Sequence, residues 1–157
     1  MAFCQPRRLV DSIATLSSHP VLTYNQALFF HWELGMDCVL IEALELETVI
    51  GVYDWERTIH QRLLLDLELA TDIRAAAATD DLAKTLDYAA ISQRIARFAD
   101  EHDFALVETF AEQLAQLLID EFAVPWLRLT LRKPGAVPAA AAVGVRIERG
   151  SRTERAQ

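Results

Sequence analysis

The chain has 157 residues, and its 15 basic against 23 acidic side chains leave a formal net charge of −8. That balance describes one domain with an acidic surface and speaks against a nucleic-acid partner, whose phosphates would call for a basic face. Hydrophobic residues make up 52% of the chain with only five glycines and five prolines, a composition that can bury a core and excludes a disordered polypeptide.

No apolar run approaches the roughly 20 residues of a membrane-spanning helix, and Arg7-Arg8 is followed by Asp11 rather than by the apolar core of a leader. The expectation is a cytoplasmic protein with no membrane partner. Cys4 and Cys38 lie far from any CxxC or Cys/His ligand spacing, so neither a disulfide framework nor a structural zinc is expected.

Residues 1–35 hold no sustained period: Phe29-Phe30-His31-Trp32 is a short apolar clump and Ser17-Ser18-His19-Pro20 a cluster of breakers. They read as an N-terminal extension, either disordered, with Met36 marking a start assigned too far upstream, or an ordered arm lying over a neighbouring subunit. Residues 36–150 carry the domain, and 151–157 read as a flexible tail.

From Asp37 the pattern sharpens. Cys38 to Glu47 ends in the alternation Leu44-Glu45-Leu46-Glu47, and Leu63, Leu65, Leu67 and Leu69 recur at every second residue; these are two strands. The connection from Ile50 to Arg57 is too long for a tight hairpin and reads as a functional loop. Asp87 stands as an N-cap before Tyr88, with Ile91, Ile95 and Phe98 giving a helix of about three turns. Val107, Phe110, Ala111, Leu114, Leu117, Leu118 and Phe122 line one face of a second helix that Pro125 ends. Trp126 to Arg132 alternates through Leu127, Leu129 and Leu131, and Val143, Val145 and Ile147 form a last strand before Gly150. The order β-β-α-α-β-β describes an α+β layer: a four-stranded antiparallel sheet with both helices on one face. Its other face and its edges then need a cover, for which oligomerisation is the natural solution.

Five segments in order carry a resemblance: Gly51-Val52-Tyr53-Asp54-Trp55-Glu56-Arg57, Thr85-Leu86-Asp87-Tyr88, Leu106-Val107-Glu108, Lys133-Pro134-Gly135-Ala136-Val137, and Gly144-Val145-Arg146-Ile147-Glu148-Arg149-Gly150. Residues 36 to about 150 resemble the dihydroneopterin aldolases of folate biosynthesis. The resemblance implies the tunnelling fold (T-fold), in which four subunits close their sheets into a barrel and two such rings stack as a homo-octamer. It implies a lyase that cleaves 7,8-dihydroneopterin by a retro-aldol step to 6-hydroxymethyl-7,8-dihydropterin and glycolaldehyde, with epimerisation at the 2′ carbon as a companion reaction.

Such a cleavage needs a base for a hydroxyl proton and a sink for the carbanion. The N5=C6 imine of the dihydropterin is itself a sink, so neither a Schiff-base lysine nor a zinc ion is required, and no cofactor is expected. His19 and His31 lie in the extension, and His60 and His102 show no ligand spacing. By resemblance Lys133, one of only two lysines in the chain, is the general acid/base, a task that requires burial or a neighbouring cation to lower its pKa. Its plain alternative is an exposed strand-end lysine. Glu108 is either an acid favoured at a helix N-terminus or, by resemblance, the carboxylate that accepts two parallel hydrogen bonds from the pterin, with the Val107 backbone adding contacts. Glu56 is a solvated loop acid or, by resemblance, stands beside the reacting side chain, where it binds substrate by orienting the water and hydroxyl network or balances the charge of Lys133. Tyr88 reads as a half-buried aromatic at the capped start of its helix and, by resemblance, reaches a neighbouring subunit's pocket to cover the pterin and protonate the enamine carbon. Two other readings stay open: a dihydroneopterin-triphosphate epimerase, for which Arg57, Arg62 and Arg132 would have to converge, and a pterin- or purine-binding oligomer without turnover.

Overall fold

Alternation of leucine with polar residues makes a strand whose two faces differ in kind, and the computed structural model, which describes residues 37–151, is organised by that difference. The extension, residues 1–35, and the tail beyond Ser151 lie outside the described residues. Strands β1 (Cys38–Thr48), β2 (Gln61–Ala70), β3 (Trp126–Pro134) and β4 (Ala142–Gly150) form one antiparallel sheet in sequential order. The inner face carries Leu63, Leu65, Leu67 and Leu69 of β2 and Leu127, Leu129 and Leu131 of β3, all buried. Facing them are helices α2 (Tyr88–Glu101) and α3 (Val107–Phe122), through Ile91, Ile95 and Phe98 of the first and Phe110, Leu114 and Leu118 of the second.

The helix ends follow local chemistry. Asp87 accepts hydrogen bonds from the amides of Ala89 and Ala90 at 2.9 and 3.0 Å, capping α2 as its sequence predicts. Ala123, in the left-handed conformation at φ 52°, ends α3 two residues before Pro125. A short helix, α1 (Arg74–Thr79), and two single 3-10 turns, Asp54–Thr58 and Leu82–Lys84, add to the expected two helices. The run Ala75 to Ala78 is the signal for α1, since alanine has the highest helix propensity. Among the described residues no helix is long and apolar enough to cross a membrane.

On the outer face the register sets charges opposite one another. Glu68 pairs with Arg128 and Arg128 with Glu148 across three strands, and the Arg128 guanidinium bonds both carboxylates at 2.8 to 2.9 Å. In β1 a bulge lets Glu42 and Ala43 stand against Asp66 alone, so that Ile41 and Leu44 both point inward; the Asp66 carboxylate accepts the Ala43 amide at 2.8 Å. The outer sides of β1 and β4 have no strand partner among the described residues, and Leu40 and Val143 are exposed there.

Phe98, Phe104 and Phe110 meet with ring centroids 5.1 to 5.5 Å apart and join the two helices to the segment between them. Phe110 is fully buried. Phe110→Ala should therefore lower unfolding stability by about 3–5 kcal/mol, read as a fall in the urea midpoint with an unchanged slope.

Candidate active site

Beyond Leu131 the inner face of β3 ends in a lysine, and burying an ammonium there demands acceptors. Lys133 is 6% exposed, and its Nζ donates to Glu56 Oε1 at 2.7 Å and to the Ile50 carbonyl at 2.9 Å. Glu56 is 7% exposed on the Asp54–Thr58 turn, where its other oxygen accepts the Tyr53 amide at 3.2 Å. The hydrogen bond from Lys133 holds the Glu56 carboxyl below the usual carboxylate range, against the opposing effect of burial, with the Tyr53 amide and the Gln61 side chain assisting. Of the three N–H groups of the ammonium, two are spent on protein acceptors.

The loop can fold over its own carboxylate because residue 51 is glycine. Gly51 sits at φ +150°, and a Cβ there would lie 2.2 Å from the Glu56 carboxylate. Phe104 pins the loop from the other side: its amide donates to the Val49 carbonyl at 3.0 Å, and its carbonyl accepts the Gly51 amide at 3.1 Å and Arg57 at 2.8 Å.

The five residues singled out in the sequence thus divide. Lys133 and Glu56 come together as a buried ion pair. Lys133 is buried, and its charged neighbour is the anion Glu56 rather than a cation. Glu108 lies exposed in the first turn of α3, beside half-buried Val107, and has no ion-pair partner among the described residues. Tyr88 begins α2 exposed over 62% of its surface rather than half-buried, since the face of α2 that meets the sheet is carried by Ile91, Ile95 and Phe98. Among the described residues no hydrogen bond or ring contact links Tyr88 or Glu108 to the Lys133–Glu56 pair.

Sequence reasoning missed the Ile50 carbonyl, the Tyr53 amide and Gln61, whose Nε2 donates to that same Ile50 carbonyl. A signal for Gln61 existed: it shares the parity of Leu63, Leu65, Leu67 and Leu69, and a glutamine on an otherwise leucine face has a polar partner to meet. Arg57, Arg62 and Arg132 do not converge as a free basic cluster; each faces a carboxylate, Asp103, Glu45 and Asp66 respectively. No three His, Cys, Asp or Glu side chains gather as a metal site among the described residues.

Comparison with known proteins bears on this pattern directly. Residues 39–148 match the family model described as dihydroneopterin aldolase (FolB). The dihydroneopterin aldolase of Escherichia coli K12 is 53% identical over 116 residues, covering 74% of this chain and 95% of that protein. That of Haemophilus influenzae is 45% identical over 115 residues, covering 73% and 98%. The crystal structure of the E. coli enzyme in complex with neopterin superposes with a TM-score of 0.71 at 53% identity, covering 73% of this chain and all of that one. This chain belongs to the dihydroneopterin aldolase family.

Proposed function

We propose that the Lys133–Glu56 pair performs the acid/base chemistry of this dihydroneopterin aldolase and that each complete site is assembled between subunits. The activity itself is the family's, a carbon–carbon lyase of folate biosynthesis. What carries the assignment of roles is one observation: the strand-end lysine is buried and held in fixed geometry by a carboxylate and a carbonyl, with one N–H left over.

In the cleavage direction that remaining position meets the 2′-hydroxyl of the substrate. Lys133 passes one proton to Glu56 along the 2.7 Å hydrogen bond, turns about its Cε–Nζ bond to aim the freed lone pair at the hydroxyl, and takes the hydroxyl proton. The C1′–C2′ bond breaks, C2′ leaves as the aldehyde carbon of glycolaldehyde, and the electron pair moves onto the N5=C6 unit as an enamine. Tyr88 of a neighbouring subunit then gives its phenolic proton to C1′ and regains one from the proton that Lys133 took, which yields the hydroxymethyl product and restores both groups. A lone lysine would need a lowered pKa for this work; a lysine with an aligned proton acceptor needs less.

Glu108 is the pterin anchor in this reading. It stands at the bare N-terminus of α3, where Leu106 offers no side-chain cap, and its unpartnered carboxylate is free to accept the fork of N–H groups on the ring. The neopterin held by the E. coli relative supports a pterin here. Open edges on β1 and β4, with Tyr88 and Leu106 exposed, support closure of sheets into a tetrameric ring, two rings stacking as an octamer, and Tyr88 entering a neighbour's pocket. The triphosphate-epimerase reading is disfavoured by the acidic partners of all three candidate arginines. The non-catalytic reading gives no reason to bury a lysine.

Three measurements follow from these roles. Lys133→Ala should lower kcat by about 10²–10⁴ while pterin affinity changes little, and Glu108→Ala should weaken binding first; steady-state kinetics and pterin titration together would expose interchangeable profiles.

The lowered pKa of Glu56 has a definite sign in stability. The carboxylate's contribution is complete above the ordinary value of 4.5 and is lost as pH falls through 4.5 toward the folded value. At pH 7 Glu56→Gln should cost about 2 kcal/mol by leaving the ammonium without its anion, and the gap to wild type should close in urea titrations below pH 4.5.

Co-expressed Tyr88→Ala and Lys133→Ala chains, each inactive alone, should recover about a quarter of wild-type activity, since random assembly leaves half of each position intact. Persistent inactivity of demonstrated mixed oligomers would place both residues in one subunit.

A further inference from the structure

The Ile50 carbonyl accepts two donors at once, the Lys133 ammonium at 2.9 Å and the Gln61 side-chain amide. A carbonyl oxygen has two lone pairs, so the pair of donors saturates it. The assignment of the amide is forced, because only the NH₂ end of glutamine can face a carbonyl. Gln61 opens β2 opposite Thr48, half-buried, at the end of the leucine row that meets the helices. It does not touch a position where the reacting hydroxyl could sit except through Lys133 and its acceptors.

We propose that Gln61 is a positioning residue for Lys133: by occupying one lone pair of the Ile50 carbonyl, it weakens that carbonyl's hold on the ammonium and so lets Lys133 release its proton at a lower pH. This deepens the reading of Lys133 as the acid/base group and rests on it. Two donors on one oxygen compete for the same electron density, so removing the amide strengthens the remaining bond and favours the charged lysine.

The charges around Lys133 leave this neutral contact room to matter. On the Asp54–Thr58 turn, Glu56 is the anion that favours the ammonium, and the next residue, Arg57, is directed to the Phe104 carbonyl and Asp103. Neighbouring strands bring no opposing charge to the inner face: Val143 of β4 is opposite Lys133, and β2 presents Leu63 and Leu65. Gln61 also lies near enough to assist the ionised Glu56; its loss would make that carboxylate a stronger acceptor and push Lys133 in the same direction.

The test compares wild type, Gln61→Met and Gln61→Glu by kcat–pH profile, KM and thermal midpoint, with Lys133→Ala alongside. Methionine keeps the length and removes the donor; glutamate keeps the shape and adds an anion. The acidic limb of kcat should move to higher pH by about half a unit in Gln61→Met and further in Gln61→Glu. At pH 7 kcat should fall by up to about threefold in Gln61→Met with KM within about twofold. Unshifted limbs in both variants would overturn the proposal, as would a loss of kcat that only parallels a lowered thermal midpoint. If Lys133→Ala keeps its turnover, the acid/base assignment itself has failed; if that variant is inactive and the Gln61 profiles match wild type, only the positioning role has.

Discussion

A charged pair placed at the end of an apolar sheet face must have its polar atoms met by acceptors and donors, and much of the architecture around residues 49–61 answers that requirement. Lys133 is set on the inner face by the parity of β3, the next inward position after Leu131, and is buried there. The loop between β1 and β2 then supplies a carboxylate from Glu56, a carbonyl from Ile50 and an amide from Tyr53, and closes only because Gly51 offers no Cβ to the Glu56 carboxylate. The backbone of Phe104 fixes that loop close to the start of α3, so the Lys133–Glu56 pair and the segment leading to Glu108 belong to one hydrogen-bonded frame.

The same sheet manages its two faces by different physics. Inside, leucines and helices exclude water. Outside, the register sets Glu68, Arg128 and Glu148 in line, so that complementary charges reinforce the pairing of three strands. Partly exposed pairs of this kind add little stability each, yet a slip of one residue would set leucines outward and break every pair together. The β1 bulge fits this logic: it admits one additional residue, keeps Ile41 and Leu44 inward, and ties the extra backbone amide to Asp66.

A unit built this way closes its core and leaves polar and aromatic side chains outside it. Its hydrophobic interior is closed by α2 and α3, whereas Tyr88, Glu108 and both sheet edges face outward without partners of their own among the described residues. An enzyme that must hold a flat ring between a carboxylate and an aromatic side chain can take those groups from different chains, and it then gains its pocket from the same contacts that cover its edges.

The amino-acid sequence by itself determined the four strands, the two long helices, the Asp87 cap and the inward row of leucines, because period, capping and breakers are local properties of the chain. It also marked Lys133, Glu56, Glu108, Val107 and Tyr88, through short segments whose order resembles a known family. The resemblance also offered Glu56 as the anion balancing Lys133; the sequence did not reveal that Ile50 lends its carbonyl or that Gln61 shares that acceptor. Those contacts join residues 11 to 83 positions apart, and a backbone carbonyl has no letter in a sequence. Tertiary structure decided them, since only the packed loop over the end of β3 sets which polar groups must satisfy one another once water is excluded.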